Sequence, residues 1–197
     1  MNLTPYLSYV LHGTRLAGAV IESYCERVRQ DYEHLAPHLP DDVTSFLDIG
    51  CGWGGHALYL AKHYGRGTEV FLIEGEDEVK KEQTGYRASA TPYRDGRIAV
   101  QLLQSEGFKT TLYPVNEQTP DLIIPVDLIT SFCSYGHHYP ISTYLDLVCR
   151  SLAMGNHLLV DIRSGTQGIQ ELVKAGFVPV QSVKSKPKFE RILFRLR

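Results

Sequence analysis

The sequence predicts an α/β protein with three layers: a mostly parallel, seven-stranded sheet between helices. Three observations carry this expectation. Phe46 to Gly55 reads FLDIGCGWGG, an apolar run that ends in an acid and breaks into closely spaced glycines. Thr68 to Glu74 (TEVFLIE) is a second apolar run that also ends in an acid. Strand-like and helix-like stretches then alternate to the C-terminus, where two strand-like stretches follow one another across a short polar link. Alternation of this kind points to a parallel sheet with crossover helices.

Phe46, Leu47 and Ile49 leave no polar face, as a strand covered on both sides requires. Gly50, Gly52, Gly54 and Gly55 then open a turn, followed by a helix beginning at His56. Glycine lacks Cβ, so it allows positive φ and lets a ligand come close to the main chain. Strand, glycine turn and helix together form the element that binds a nucleotide at the carboxyl edge of a parallel sheet. Glu74 lies about 20 residues beyond that turn, where a nucleotide fold places the acid that accepts from ribose hydroxyls. Gly50, Gly52 and Gly55 also satisfy G-x-G-x-x-G, so a dinucleotide remains one candidate ligand.

Before this core, residues 1–40 read as a helical extension. Val20, Ile21, Tyr24, Val28 and Tyr32 recur at helical intervals, and Pro37 and Pro40 end the segment. The core is expected over residues 44–197, in one domain with the extension. Glu76 to Arg97 alternates tyrosine and arginine with turn formers and reads as a loop or lid; a surface excursion without a role fits equally well. Ile98 to Glu106 is a short helix and Phe108 to Val115 the third strand. Val126 to Phe132 is the fourth strand, Ile141 to Leu152 a helix, and Met154-Gly155-Asn156 a turn into the fifth strand, His157 to Ile162. Gln167 to Ala175 is the last helix. Phe177 to Val183 and Arg191 to Leu196 close the sheet, joined by Lys184 to Lys188.

The chain has 197 residues, 43% of them hydrophobic and 21% charged, as in a soluble globular protein. A net charge of −2 does not favour a dedicated grip on nucleic acid. The four cysteines, Cys25, Cys51, Cys133 and Cys149, have neither metal-ligand nor redox spacing and fit a reducing compartment. No signal peptide and no membrane-length apolar run is recognised, so the expected location is cytoplasmic.

Asp48-Ile49-Gly50-Cys51-Gly52-Trp53-Gly54 resembles the first motif of the class I, Rossmann-like S-adenosylmethionine-dependent methyltransferases, an acid followed by three alternating glycines. The resemblance extends to Glu74 and to the stretch from Asp127 to His138, and the terminal strand pair fits the family's antiparallel last strand. It implies S-adenosyl-L-methionine as cofactor, held by Asp48, Gly50, Cys51, Gly52, Trp53, Gly54, Glu74 and Ser131. Asn116 stands where the family places an adenine contact. The resemblance also implies that the end of the fourth strand faces the methyl group. His138 and His137 follow that strand and are candidate bases, since an imidazole titrates near neutrality. They could equally do no more than shape the pocket. Tyr135 and Tyr139 are expected to wall the substrate pocket. Asp161 and Arg163 end the fifth strand. Asp161 is a candidate catalytic residue, able to bind a substrate hydroxyl or help hold a divalent metal, and Arg163 a substrate contact, with a strand-end ion pair as the alternative. No metal is expected, because the fourth-strand acid of metal-dependent relatives is missing.

The expected activity is O-methylation of a small polar acceptor such as a sugar. Weak similarity to sugar O-methyltransferases supports this choice of acceptor. The alternatives are N-methylation of a small molecule, protein or RNA, a catalytically silent methyltransferase-like binding module, and an NAD-dependent oxidoreductase.

Overall fold

The computed structural model describes residues 18–74, 95–116 and 118–197, together with Leu3 and Leu7. Helix α1 spans Gly18–Leu35 and precedes strand β1, Ser45–Ile49. Helix α2 (Gly55–Tyr64), strand β2 (Glu69–Glu74), helix α3 (Gly96–Ser105) and strand β3 (Lys109–Pro114) follow. Strand β4 (Val126–Ser131), helix α4 (Leu145–Ser151), strand β5 (Leu152–Arg163) and helix α5 (Gly168–Lys174) come next. Strands β6 (Phe177–Lys186) and β7 (Phe189–Leu196) complete the chain. The sheet order is β3-β2-β1-β4-β5-β7-β6, with β7 antiparallel to both of its neighbours and the other strands parallel.

Alternation along the strands makes the three layers. Phe46, Val70, Leu72, Leu128 and Leu159 pack on one face, under α1, α2 and α3. Leu47, Ile49, Ile129, Leu158 and Val160 pack on the other, under α4 and α5. Asp48, Glu74, Thr130, Asp161 and Arg191 follow the first set by parity, so these polar residues share the α1–α3 side of the carboxyl edge.

The strands stand where the sequence places them, with two differences. Met154-Gly155-Asn156 is not a turn. It is an irregularity within β5, where the register to β4 shifts between Val126 and Leu128 and the Asn156 side chain donates to the Val126 carbonyl at 3.0 Å. The link from Lys184 to Lys188 is also shorter than expected. Lys184, Ser185 and Lys186 extend β6 and pair with Arg191, Glu190 and Phe189, so Pro187 and Lys188 alone turn the chain. Strand β6 is an outer strand whose register to β7 shifts twice, at Pro179/Gln181 and at Ser182/Lys184. Of the expected loop at Glu76 to Arg97, only Asp95 onward lies within the described residues. There the Asp95 side chain accepts from the Arg97 amide and caps α3.

The glycine turn is fixed from two sides. Gly54 has φ +77°, and a Cβ placed there would stand 2.6 Å from the Ala99 Cβ of α3. From α1, the Tyr24 hydroxyl accepts from the Gly55 amide at 2.9 Å, and the Tyr24 ring meets Trp53 edge-on at 5.0 Å. Gly54→Ala is therefore expected to destabilise the protein by about 2–4 kcal/mol, combining left-handed strain with overpacking. In chemical denaturation, adding Ala99→Gly should not restore the loss, since the backbone Cα of residue 99 would still stand 2.8 Å from the new Cβ. A stability equal to wild type in the single variant would show that the turn relaxes without cost.

Candidate active site

The carboxyl edge carries two adjoining features, a cleft and a cationic mouth. The cleft is lined by Ile49, Gly50, Ile73, Glu74, Val115, Ser134, Tyr139 and Tyr144. It opens where β1, β2 and β4 end side by side. Gly50 has φ +75°, and a Cβ there would strike the Ser134 side chain, so only glycine lets the turn and the loop after β4 come together. The Gly50 amide donates to the Ile73 carbonyl at 2.7 Å, and the Gly52 amide donates to Glu74 Oε2 at 2.8 Å. The acid of β2 thus holds the glycine turn and faces the cleft.

Asp48 lies behind the turn, 2% exposed, and accepts from the Thr130 hydroxyl at 2.9 Å. Burial pushes its carboxyl up to about 7. The Thr130 hydrogen bond opposes the rise and the neighbouring Glu74 carboxylate adds to it. Ser131 sits deeper still. Its hydroxyl donates to the Ile49 carbonyl at 2.7 Å and accepts from the Tyr135 amide at 2.9 Å, tying β1 to the loop after β4.

That loop is built around one carboxylate. Asp161 is fully buried. Its two oxygens accept from Arg191 at 2.7 and 2.9 Å, and Oδ2 also accepts from the Cys133 amide at 3.0 Å. The amide contact holds Cys133 at φ +56°, a left-handed conformation that costs a non-glycine residue about 1–2 kcal/mol. Cys133 is exposed as a residue, yet its sulfur turns in to 3.4 Å from Asp161. Burial and that carboxylate push the thiol up to about 12, so it is no thiolate nucleophile. Asp31 of α1 joins the cluster, near His56, Lys184 and Arg191. Burial would raise its carboxyl, but these three partners more than offset the burial and hold it below the usual carboxylate range.

The mouth lies beside the cleft. His137 stands edge-on to His138 at 4.9 Å and to Phe189 at 5.6 Å. Burial holds its imidazole below the ordinary range; His138, Arg163 and Lys188 act in the same direction, against Asp161.

The structure thus brings Gly50, Glu74 and Tyr139 into one cleft, with Asn116 next to its Val115 wall. The Asn116 side chain accepts from the Gln118 amide at 2.8 Å. His137, His138 and Arg163 gather at the neighbouring mouth. Other expected contacts lie inside the protein. Trp53 is 1% exposed, beneath α1. Cys51 is buried in the same layer. Tyr135 does not wall a pocket: its ring is fully buried in the opposite core layer, against Tyr144. Asp161 makes its ion pair with Arg191. Sequence reasoning missed Ser134, Tyr144, Tyr24, Asp31 and Arg191. Ser134 sits in the loop after the fourth strand, beside His137 and His138, whereas Tyr144 falls within the stretch expected as a helix, Ile141 to Leu152.

Seven strands in the order β3-β2-β1-β4-β5-β7-β6, with one antiparallel strand next to the last in space, decide the comparison with known structures. The chain has the class I methyltransferase fold. The magnesium protoporphyrin IX methyltransferase ChlM from Synechocystis PCC 6803, solved with bound SAM, superposes with a TM-score of 0.57 at 17% identity, over 98% of this chain and 90% of that one. The StiE O-MT matches with a TM-score of 0.61 at 11% identity, over 97% and 81%. The T. thermophilus 16S rRNA methyltransferase RsmC, in complex with AdoMet and guanosine, matches with a TM-score of 0.55 at 13% identity, over 94% of this chain and 45% of that one. No protein-family model matches the sequence, and no curated protein matches it. No helix among the described residues of this methyltransferase fold is long and apolar enough to cross a membrane.

The raised Asp48 carboxyl fixes the sign of a pH effect. An Asp whose folded pKa is raised gives stability that is fully present below its unfolded pKa near 3.9 and is lost as pH rises through about 7. Asp48→Asn mimics the protonated form and can still accept from Thr130. Relative to wild type without ligand, it is expected to gain roughly 2–4 kcal/mol between pH 4 and pH 8. Chemical denaturation at both pH values checks this. A difference that does not grow with pH would show that Asp48 ionises freely in the fold.

Proposed function

We propose that the protein is an S-adenosyl-L-methionine-dependent methyltransferase with a single catalytic domain, acting on a hydroxyl of a small polar acceptor such as a sugar. The observation that carries the cofactor is Glu74: its carboxylate lines the cleft and also receives the Gly52 amide. The residues present fit the cofactor. Glu74 would accept from ribose hydroxyls, Gly50 would let the main chain approach, and Asn116 beside Val115 would meet the adenine. Asp48 and Ser131 would act from behind by fixing the turn. Trp53, Cys51 and Gly54 would do so through packing. Two of the matched methyltransferase structures, ChlM and RsmC, hold this cofactor. When bound, it supplies an electrophilic methyl group on a sulfonium.

The chain supplies position and a proton acceptor. His137 and His138 follow β4 at the mouth beside the cleft, and Tyr139 reaches into the cleft itself. With its imidazole held below the ordinary range, His137 is neutral at neutral pH and able to take the acceptor's hydroxyl proton. Asp161 is a positioning residue: through the Cys133 amide it sets the backbone on which both histidines are carried.

Calorimetry with S-adenosylhomocysteine and with NAD tests the cofactor. Binding of the first and not the second is expected, and the reverse result would overturn the proposal. Glu74→Gln keeps an acceptor for the Gly52 amide but loses the charge. It should weaken S-adenosylhomocysteine roughly ten- to a hundredfold, for about 1.5–3 kcal/mol. An unchanged affinity would mean that the ribose is held elsewhere.

For the chemistry, single His137→Ala and His138→Ala variants should keep cofactor affinity. The variant lacking the base should lose about 10²–10⁴ in kcat. The wild-type rate should fall on the acid side of pH 6.5, the ordinary imidazole value, as the base protonates. A near-normal kcat in both variants, with only KM raised, would leave the histidines as pocket walls.

A further inference from the structure

The mouth next to the cleft is cationic in a chain whose net charge is −2. On its rim, Arg163 pairs in register with Phe189, and Phe189 pairs with Lys186. The Lys186 ammonium lies 5.9 Å from the centre of the Phe189 ring. Lys188 is tied to the same corner, since its carbonyl receives the Ser164 amide at 3.0 Å. The His137 ring meets the same Phe189 edge-on. Behind them stands Arg191, 4.4 Å over Phe132 and 5.9 Å from Phe189.

The nearby carboxylates are already engaged. Asp161 is paired with Arg191, and Asp31 with Lys184. Glu190 alternates to the opposite face of β7, away from Phe189 and Arg191. That leaves Lys186 and Lys188 without a carboxylate partner among the described residues. His137 Nδ1 is buried and has no hydrogen-bond partner among the described residues, and the residue itself is only 8% exposed. A buried polar atom without a partner, beside two lysines that no acid engages, is the arrangement an anion satisfies.

We propose that this mouth binds an anionic group, a phosphate or a carboxylate, carried by the methyl acceptor, with His137, Lys186 and Lys188 around it. Assigning the anion to the acceptor rests on the methyltransferase reading above; the anion site itself does not. The acceptor is then an acidic small molecule, such as a sugar phosphate or a sugar acid, rather than a neutral one. Charge on the rim would draw it in, and the Phe189 ring would floor the site.

The test is a titration of the protein with inorganic phosphate, and separately with acetate, at constant ionic strength, following the imidazole resonances of His137 by NMR. A saturable shift is expected with at least one of the two. The better binder identifies the source of the charge as phosphate ester or carboxylate. Lys186→Gln/Lys188→Gln should weaken it about three- to tenfold, as for two partly screened charges. S-adenosylhomocysteine affinity should be unchanged in that variant. No saturable shift with either anion, or the same affinity in the double variant, would overturn the proposal. Saturable anion binding without any S-adenosylhomocysteine binding would instead remove the methyltransferase reading and leave the anion site standing.

Discussion

The buried pair between Asp161 and Arg191 is the constraint on which the carboxyl edge depends. It joins β5 to β7 in register, and the same carboxylate anchors the Cys133 amide after β4. Asp31 draws α1 into the cluster. Burying two charges costs several kcal/mol each unless geometry and further hydrogen bonds offset it; a pair of this kind therefore says more about arrangement than about stability. Removing one partner typically costs about 3–5 kcal/mol, because the other charge is left buried alone. Here it would also release the backbone that carries His137 and His138. Phe132 lies between His56, 4.6 Å away, and the Arg191 guanidinium, so the apolar and ionic parts of the cluster hold each other in place.

Helix α1 acts on both halves of this edge. Tyr24 bonds the Gly55 amide of the glycine turn, and Asp31 meets the β6–β7 side. Two regions that look separate in sequence, the glycine turn and the β6–β7 side, are therefore braced by one amphipathic helix. The edge is also polarised. Asp48 and Glu74 place acid on the β1–β2 half, and Arg163, Lys186 and Lys188 place positive charge on the β5–β6 half. On the proposed reading, a cationic methyl donor and an acidic acceptor would each meet opposite charge.

Much of this was legible in the residues. The glycine spacing after Ile49, the acids at Asp48 and Glu74, and the alternation of strands and helices gave the order of the elements, because each signal is local. What the sequence hid depends on direction and register. Tyr135 and Ser131 look like site residues by position, but one points into the α4–α5 core and the other bonds backbone on both sides. Arg191 lies 30 positions from Asp161, and only the antiparallel ladder brings them together. Met154-Gly155-Asn156 has turn composition, yet the ladder to β4 carries it as an irregular strand. Tyr144 has helical spacing but stands before α4, where its ring reaches the cleft.

The broken ladder of β6 has a consequence for how the protein behaves in company. A straight outer strand offers a row of unpaired amides and carbonyls that another chain can extend. Here Pro179 supplies no amide, two register shifts bend the strand, and Lys184 and Lys186 place charge near its end. At the opposite margin, β3 begins with Lys109 and ends with Pro114. Both margins of the sheet therefore discourage strand-by-strand stacking, and the fold can keep long, twisted, apolar strands at its centre without becoming a template for fibrils.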